Sequence, residues 1–314
     1  PRLSHGYCAT QNRICLLVET HSLKPFANRV FSTKSMMEHS LSFVNVNYKE
    51  LVTLNKQADN ETVKYYLSTK KKFPLVLKGN GKFDKYLFKG FEWYDEYSDL
   101  TGSTVRKYTN KPMEIEIPIF NKANSEKKVS VPVAYLIPQH FSEIIEIIKA
   151  HQIKFNVLKS SKTVKVEKYR FEDVQFAPRP YEGRQLPSFK CNSFIEKVDV
   201  ESGTLIVYTN QRQLRVIVNL LELEAPDSFV SWGFFNAFFE RKEYAEAYVM
   251  EPYAKQMMKA DVSLRNEFYK KLNEEESFRN DGGERLDFFY KRSPFYDKGE
   301  NVYPIMRLIN KSNI

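Results

Sequence analysis

The sequence predicts a mixed chain, α/β where it begins and α+β beyond. It reads as a strand and long helix of an α/β sheet, then a β-rich region with a β-α-β-β unit, then an aromatic helical C-terminal region. Three observations predict this. A continuous apolar run at 14–18 ends on Glu19 and leads into a long helical pattern. From residue 73 to 131, short alternating runs are separated by turn residues. From Asp227 onward the chain is aromatic with helical spacing. The corresponding divisions are 1–69, 70–226 and 227–314.

Residues 1–11 are polar and turn-rich, and they lead to an expected strand at 13–19. Because Ile14, Cys15, Leu16, Leu17 and Val18 are consecutive rather than alternating, that strand is expected to be covered on both faces. After Pro25 the pattern turns helical. Val30, Met37, Leu41, Val44 and Leu51 fall along one side of a segment that runs to about Gln57 and continues through Leu67. The runs 75–77, 86–88, 114–117 and 129–133 alternate, with turn chemistry at Gly79-Asn80-Gly81, Gly102-Ser103 and 121–126. This is an antiparallel β region. A buried strand at 134–138, an amphipathic helix at 140–151 and strands at 154–159 and 163–171 make the β-α-β-β unit. Strands at about 190–200 and 204–209 follow, and 214–223 is apolar and helix-compatible. Asp227 or Ser228 suits the N-cap of a helix at 229–240. Further helices are expected at 244–258, 264–272 and 284–290, and a loose polar tail at 310–314.

With 42% apolar and 14% aromatic residues the chain has ample material for packed cores, which excludes a disordered protein. No window reaches the length of a membrane span. Net charge is +9, but 39 acidic residues are interspersed with 48 basic ones, so a lysine-rich soluble surface is the better reading and no nucleic-acid partner is expected. Cys8, Cys15 and Cys191 form no CxxC pair and argue against a disulfide framework. The compartment stays open, periplasm and secretion included, and so does the oligomeric state.

His140 and Glu143 form an HxxE, which on one helical turn can aim an imidazole and a carboxylate at one ion. It lacks a third ligand, since His151 lies three turns along the same helix, and His140 reads better as an ordinary residue at a helix N-terminus. On a strand, Glu19 and His21 point the same way, so the imidazole either tunes the carboxylate or caps the following turn. Glu19, a single acid at a strand end, is a candidate general base if a metal or nucleophile lies beside it. Lys78-Gly79-Asn80-Gly81 is a turn rather than a phosphate cradle. Trp93-Tyr94 and Trp232 with Phe234-Phe235 are either ligand platforms or packing aromatics, and packing is the simpler reading. No nucleophile elbow, Walker sequence or Cys/His zinc cluster is present.

Gly6-Tyr7, Asn12-Arg13, Leu16-Leu17-Val18-Glu19-Thr20-His21-Ser22-Leu23-Lys24-Pro25-Phe26 and Arg29-Val30 together resemble the zinc carboxypeptidase family of metallopeptidases, in a bacterial branch. The later stretches 133–138, 181–184, 220–222, 227–233, Phe289-Tyr290, Ser293-Pro294 and Tyr303-Pro304 are similar to that branch too. The resemblance implies a doubly wound catalytic domain of which only the last strand and helix are here, and an extra region from about residue 70. In the family, an HxxE and a later His bind one zinc ahead of the strand that carries the catalytic Glu. The zinc polarises the scissile carbonyl and its bound water, and the Glu takes the proton. The resemblance therefore implies Glu19 as general base, Tyr7 as a substrate contact and Arg13 as a contact for a substrate carboxylate, and His21, from its spacing to Glu19, is a further candidate substrate contact. The His140 HxxE lies on the wrong side of Glu19 to be the family motif. Zinc ligands are then expected upstream of Pro1, so this chain alone is expected to bind no zinc at the family site and to lack peptidase activity. The truncated sheet would also expose an internal strand edge. The substrate class implied is a peptide or amide. The alternative is a non-catalytic binding module for a peptide or glycan.

Overall fold

The computed structural model describes residues 3–241 and 244–310. Helix and strand are mixed, at 37% and 30%, as expected for an α+β chain. The chain divides into two compact units, one of residues 64–131 and one of residues 1–63 with 132–314.

The N-terminal part holds two helices, α1 (Ser4–Thr10) and α2 (Phe26–Ser68). The first replaces the expected turn-rich lead. The second is the expected long helix, and its end falls where the helical pattern fades. Between them, residues 13–21 form no strand. Ile14 is 74% exposed and Leu16 60%, and among the described residues no backbone bond is made by 14–20. A strand exists only when a neighbour satisfies its N–H and C=O groups, and an apolar run supplies the side chains but not the neighbour. The apolar residues of α2 behave alike. Val30, Met37, Leu41 and Val44 are exposed, and the buried residue on this helix is Thr62.

The smaller unit is antiparallel β, as its alternation predicts. Its strands are β1 (Phe73–Gly79), β2 (Asp84–Ser98), β3 (Ser103–Ile119) and β4 (Ala123–Val129). β2 and β3 form a long hairpin, and β1 pairs with β4. Gly102, at φ +62° in the connection, supplies the left-handed residue that a tight reversal requires. The Asn80-Gly81 turn leads from β1 to β2, with the Asn80 side chain accepting from the Lys82 N–H.

The larger unit contains β5 (Ala134–Ile137), α3 (Ser142–Ala150), β6 (Asn156–Val157), β7 (Lys162–Phe176), β8 (Pro187–Val200), β9 (Leu205–Tyr208) and α4 (Leu214–Leu221). After these come α5 (Ala247–Ala260), α6 (Val262–Glu274), α7 (Glu276–Asn280), α8 (Gly282–Tyr290) and β10 (Met306–Leu308). The β-α-β-β unit is present. Its sheet is antiparallel throughout, in the order β6-β9-β5-β10-β7-β8. The parallel, doubly wound arrangement is not found among the described residues. β5 is buried on both faces: Tyr135 and Ile137 join the core under α3 and α4, while Ala134 and Leu136 join an opposite cluster with Val164 and Val166. The helices α5 to α8 bury a separate cluster that includes Met250, Phe278 and Phe288.

The expected helix at 229–240 is instead a series of turns ending in a 3-10 helix (Asn236–Phe239). Gly233 stands at φ +74°, and a Cβ there would come within 2.6 Å of the Gln185 carbonyl oxygen. That backbone cannot continue an α-helix. Residues 311–314, most of the expected polar tail, lie outside the described residues.

A buried ionic cluster ties this sheet together. Arg307 on β10 lies 3.0 Å from Glu222 through Nε and also pairs with Glu167 on β7. The Tyr135 and Tyr169 hydroxyls donate to the same Glu222 carboxylate. Burial raises the Glu222 pKa, against the opposing pull of Arg307. Replacing Arg307 with Met would leave Glu222 buried without its cation, a loss of roughly 3–5 kcal/mol at neutral pH. Because Glu222 can escape by taking up a proton, the penalty is expected to shrink as the pH falls toward the ordinary carboxyl value of 4.5. Urea unfolding of wild type and Arg307→Met at several pH values measures this; a penalty that does not vary with pH would contradict the account.

Candidate functional site

The residues singled out by the sequence sit on α1, on the segment after it and at the turn before α2. Tyr7 projects from α1. Its hydroxyl accepts from Gln11 Nε2 at 2.8 Å, which leaves its own hydrogen for Nδ1 of His151, also at 2.8 Å. His151 follows α3, so this bond docks α1 on the β-α-β-β unit. Burial lowers the His151 pKa, and the unprotonated Nδ1 is the form that accepts from Tyr7. Arg212 extends the contact by donating to the Gln11 side chain at 2.8 Å.

Asn12 and Arg13 fix the chain where it leaves α1. Asn12 adopts the left-handed backbone that Asn tolerates, at φ 55°. It donates to Asp59 at 3.2 Å and to the Ala58 carbonyl at 3.4 Å, both on α2. Arg13 makes a two-pronged contact with the same Asp59, at 3.0 and 2.9 Å, and donates to the Asn12 carbonyl. This planar fork is the geometry in which arginine and carboxylate bind most specifically. Desolvation pushes the Asp59 pKa up, but hydrogen bonds from Arg13 and Asn12 outweigh it, and the net shift is downward.

Glu19 and His21 are exposed and are not brought together. His21 Nδ1 accepts from the Leu23 N–H at 3.2 Å, so the imidazole caps the turn that leads to α2. Among the described residues Glu19 has no hydrogen-bond or ion-pair partner. A cavity of about 720 Å³ opens between this segment and α2, lined by Ile14, Leu16, Met36, Phe43, Val44 and Tyr48. Its walls are apolar, with Arg13 and His39 at the margin.

The other candidates, Trp93 and Tyr94 apart, are engaged by contacts with their neighbours. His140 lies against Phe141 with ring centroids 4.2 Å apart and the rings tilted at 45°, and Glu143 pairs with Arg184 at 3.1 Å. Trp232 donates to Asp227, and Phe235 is buried in the core. Trp93 and Tyr94 are exposed on the β2–β3 hairpin. Among the described residues no three His, Cys, Asp or Glu side chains converge as metal ligands. The described residues therefore offer no three-ligand set for zinc. Sequence reasoning missed Asp59, Gln11, His151 and Arg212. Asp59 is 46 residues beyond Arg13, and no spacing rule links them.

Over 104 residues the chain is 30% identical to proteins named Carboxypeptidase 2 in Trichophyton tonsurans, Trichophyton equinum and Trichophyton rubrum. The matched stretch is 33% of this chain and 19% of each fungal protein. The chain is thus carboxypeptidase-like over a third of its length and spans about a fifth of the curated relatives it matches. No family model and no solved structure matches it.

The stability that Asp59 contributes is present above its ordinary value of 3.8 and is lost as the pH falls through its lowered folded value. The difference in urea midpoint between wild type and Asp59→Asn is expected to be full near neutral pH and to shrink only below 3.8. A difference already gone above that value would show that Arg13 does not hold the carboxylate.

Proposed function

We propose that this chain is part of a zinc-dependent carboxypeptidase-like hydrolase acting on a peptide or amide, with Glu19 as the general base. The observation that supports this reading is the 104-residue similarity to the fungal carboxypeptidases. The match of the segment around Glu19 to the family's signature adds to it. The described residues offer no three-ligand set for zinc, so this reading assigns the zinc ligands outside the chain and leaves the chain alone inactive.

What this chain contributes is the placement of one carboxylate. A general base must come within about 2.6–3.2 Å of the proton it removes. Glu19 is exposed and has no partner among the described residues, so a water can reach it. The segment carrying it is fixed at one end by Arg13 on Asp59 and at the other by the capped turn at His21. In the same reading Arg13 meets a substrate carboxylate. Its guanidinium has five N–H groups, and the contacts to Asp59 and Asn12 use three of them. Two donors are left for a second carboxylate. Tyr7 and His21 are the accompanying substrate contacts.

In the full-length protein that carries this sequence, Glu19→Gln is expected to lower kcat for release of a C-terminal residue by about 10²–10⁴-fold with little change in KM. An unchanged kcat would remove Glu19 from the mechanism, and absence of hydrolysis in the wild type would favour the non-catalytic binding module. Calorimetric titration of the present chain with zinc is expected to show no tight stoichiometric uptake; one-to-one tight binding would contradict ligands supplied from elsewhere.

A further inference from the structure

We propose that the β2–β3 hairpin is a self-association arm, and that its β2 edge pairs antiparallel with β2 of a second copy of this chain. Among the described residues the two-stranded sheet β2–β3 has no third strand. At 15 and 17 residues its strands extend about 50 Å, and a lone hairpin of this kind is marginal in water. Its rings are exposed: Phe88 at 46%, Phe91 at 51% and Tyr94 at 55%. Both features are relieved by further strands.

The two edges are not equivalent. β3 contains Pro112 and Pro118, which have no N–H to donate. It also carries the extra residues of a bulge, since Phe91 and Trp93 are two apart while their partners Pro112 and Tyr108 are four apart. These are devices that blunt an edge against pairing. β2 has neither a proline nor extra residues, so its outer edge offers an unbroken row of backbone groups.

Charge selects the partner. Along β2, Lys85 and Lys89 come first and Glu92, Asp95 and Glu96 last. Asp84, the acid at the start, is engaged by Lys122 at 2.6 Å. Along β3 the order is the same, with Arg106, Lys107 and Lys111 before Glu114 and Glu116. Antiparallel pairing inside the hairpin already opposes these halves, as in Lys85–Glu116 at 2.7 Å and Arg106–Asp95 at 3.1 Å. A strand that is basic first and acidic last also complements itself when antiparallel. In the order β3-β2-β2-β3, the charges across each end of the four-stranded sheet would alternate in sign, each flanked by opposites. A two-fold axis through the paired β2 strands generates this arrangement and closes it at two copies.

Sedimentation equilibrium of the full chain tests it with two charge-rearranged variants. One carries Lys85→Glu, Lys89→Glu, Glu114→Lys and Glu116→Lys, which makes β2 acidic throughout and keeps the pairs within the hairpin. The other carries Glu92→Lys, Asp95→Lys, Glu96→Lys, Arg106→Glu, Lys107→Glu and Lys111→Glu, which makes β2 basic throughout. Wild type is expected to reach twice the 37.0 kDa chain mass as concentration rises, each variant alone to stay at one chain mass, and an equimolar mixture to recover the doubled mass. A wild type that stays monomeric, variants that dimerise alone, or a mixture that stays monomeric would overturn the proposal. Should a variant fail to fold, hydrogen exchange of the wild type decides: concentration is expected to slow exchange in β2 and not in β3, and no change in β2 would overturn it.

Discussion

Arg307 is the residue on which the larger unit depends. A guanidinium inside an apolar core is costly unless its charge is met, and here two carboxylates meet it, on β7 and just after α4. Tyr135 on β5 and Tyr169 on β7 hold Glu222 in turn, while the Tyr303 hydroxyl donates to the Leu221 carbonyl beside it at 3.1 Å. Segments far apart in sequence are thus joined at one point. β10, which brings Arg307, is among the last described residues and yet sits in the middle of the sheet, between β5 and β7. The sheet cannot be continuous until that segment arrives, so its formation depends on contacts of long sequence separation.

The docked N-terminal part depends on this unit in the same way. Tyr7 reaches His151 at the end of α3, and Gln11 receives Arg212 from the loop before α4. Beyond those anchors the chain is gripped by Asp59 on α2 and then runs without regular secondary structure to the turn at His21. The polar contacts are thus spent on holding α1 and α2, and the apolar side chains of 14–17 are left facing outward. The result is an exposed Glu19 on a segment fixed at its ends and, among the described residues, without backbone hydrogen bonds along 14–20.

The parts of this fold legible in the sequence are those whose pattern is local. Alternation with Gly102 in the turn gave away the β2–β3 hairpin, and the isoleucines of α3 showed its buried side. The continuous run 134–137 marked β5 as covered on both faces, and it is. The identical pattern at 14–18 marked nothing of the kind, because pairing is a property of two segments and the run reports on one. Gly233 could have been read as a break in the helix expected at 229–240, since its positive φ is what glycine permits. Nothing in the spacing pointed to Asp59 as the partner of Arg13, or to Arg307 as the partner of Glu222. Ion pairs across such separations are set by the finished fold, and an exposed surface would have accommodated the same residues unpaired. Glu19 was expected at the end of a covered strand, and it lies instead on an exposed segment outside any strand.

Among the described residues the segment bearing Glu19 makes no backbone hydrogen bond, while the six-stranded sheet is closed around Arg307. Hydrogen–deuterium exchange resolved to single residues tests this contrast most directly. The amides of Ile14–Thr20 are expected to exchange at nearly the rate of an unprotected chain, while those of β5 and β9 are the slowest in the protein. Protection across 14–20 comparable to that of β5 would contradict the account, because it would mean that the segment is already part of a sheet.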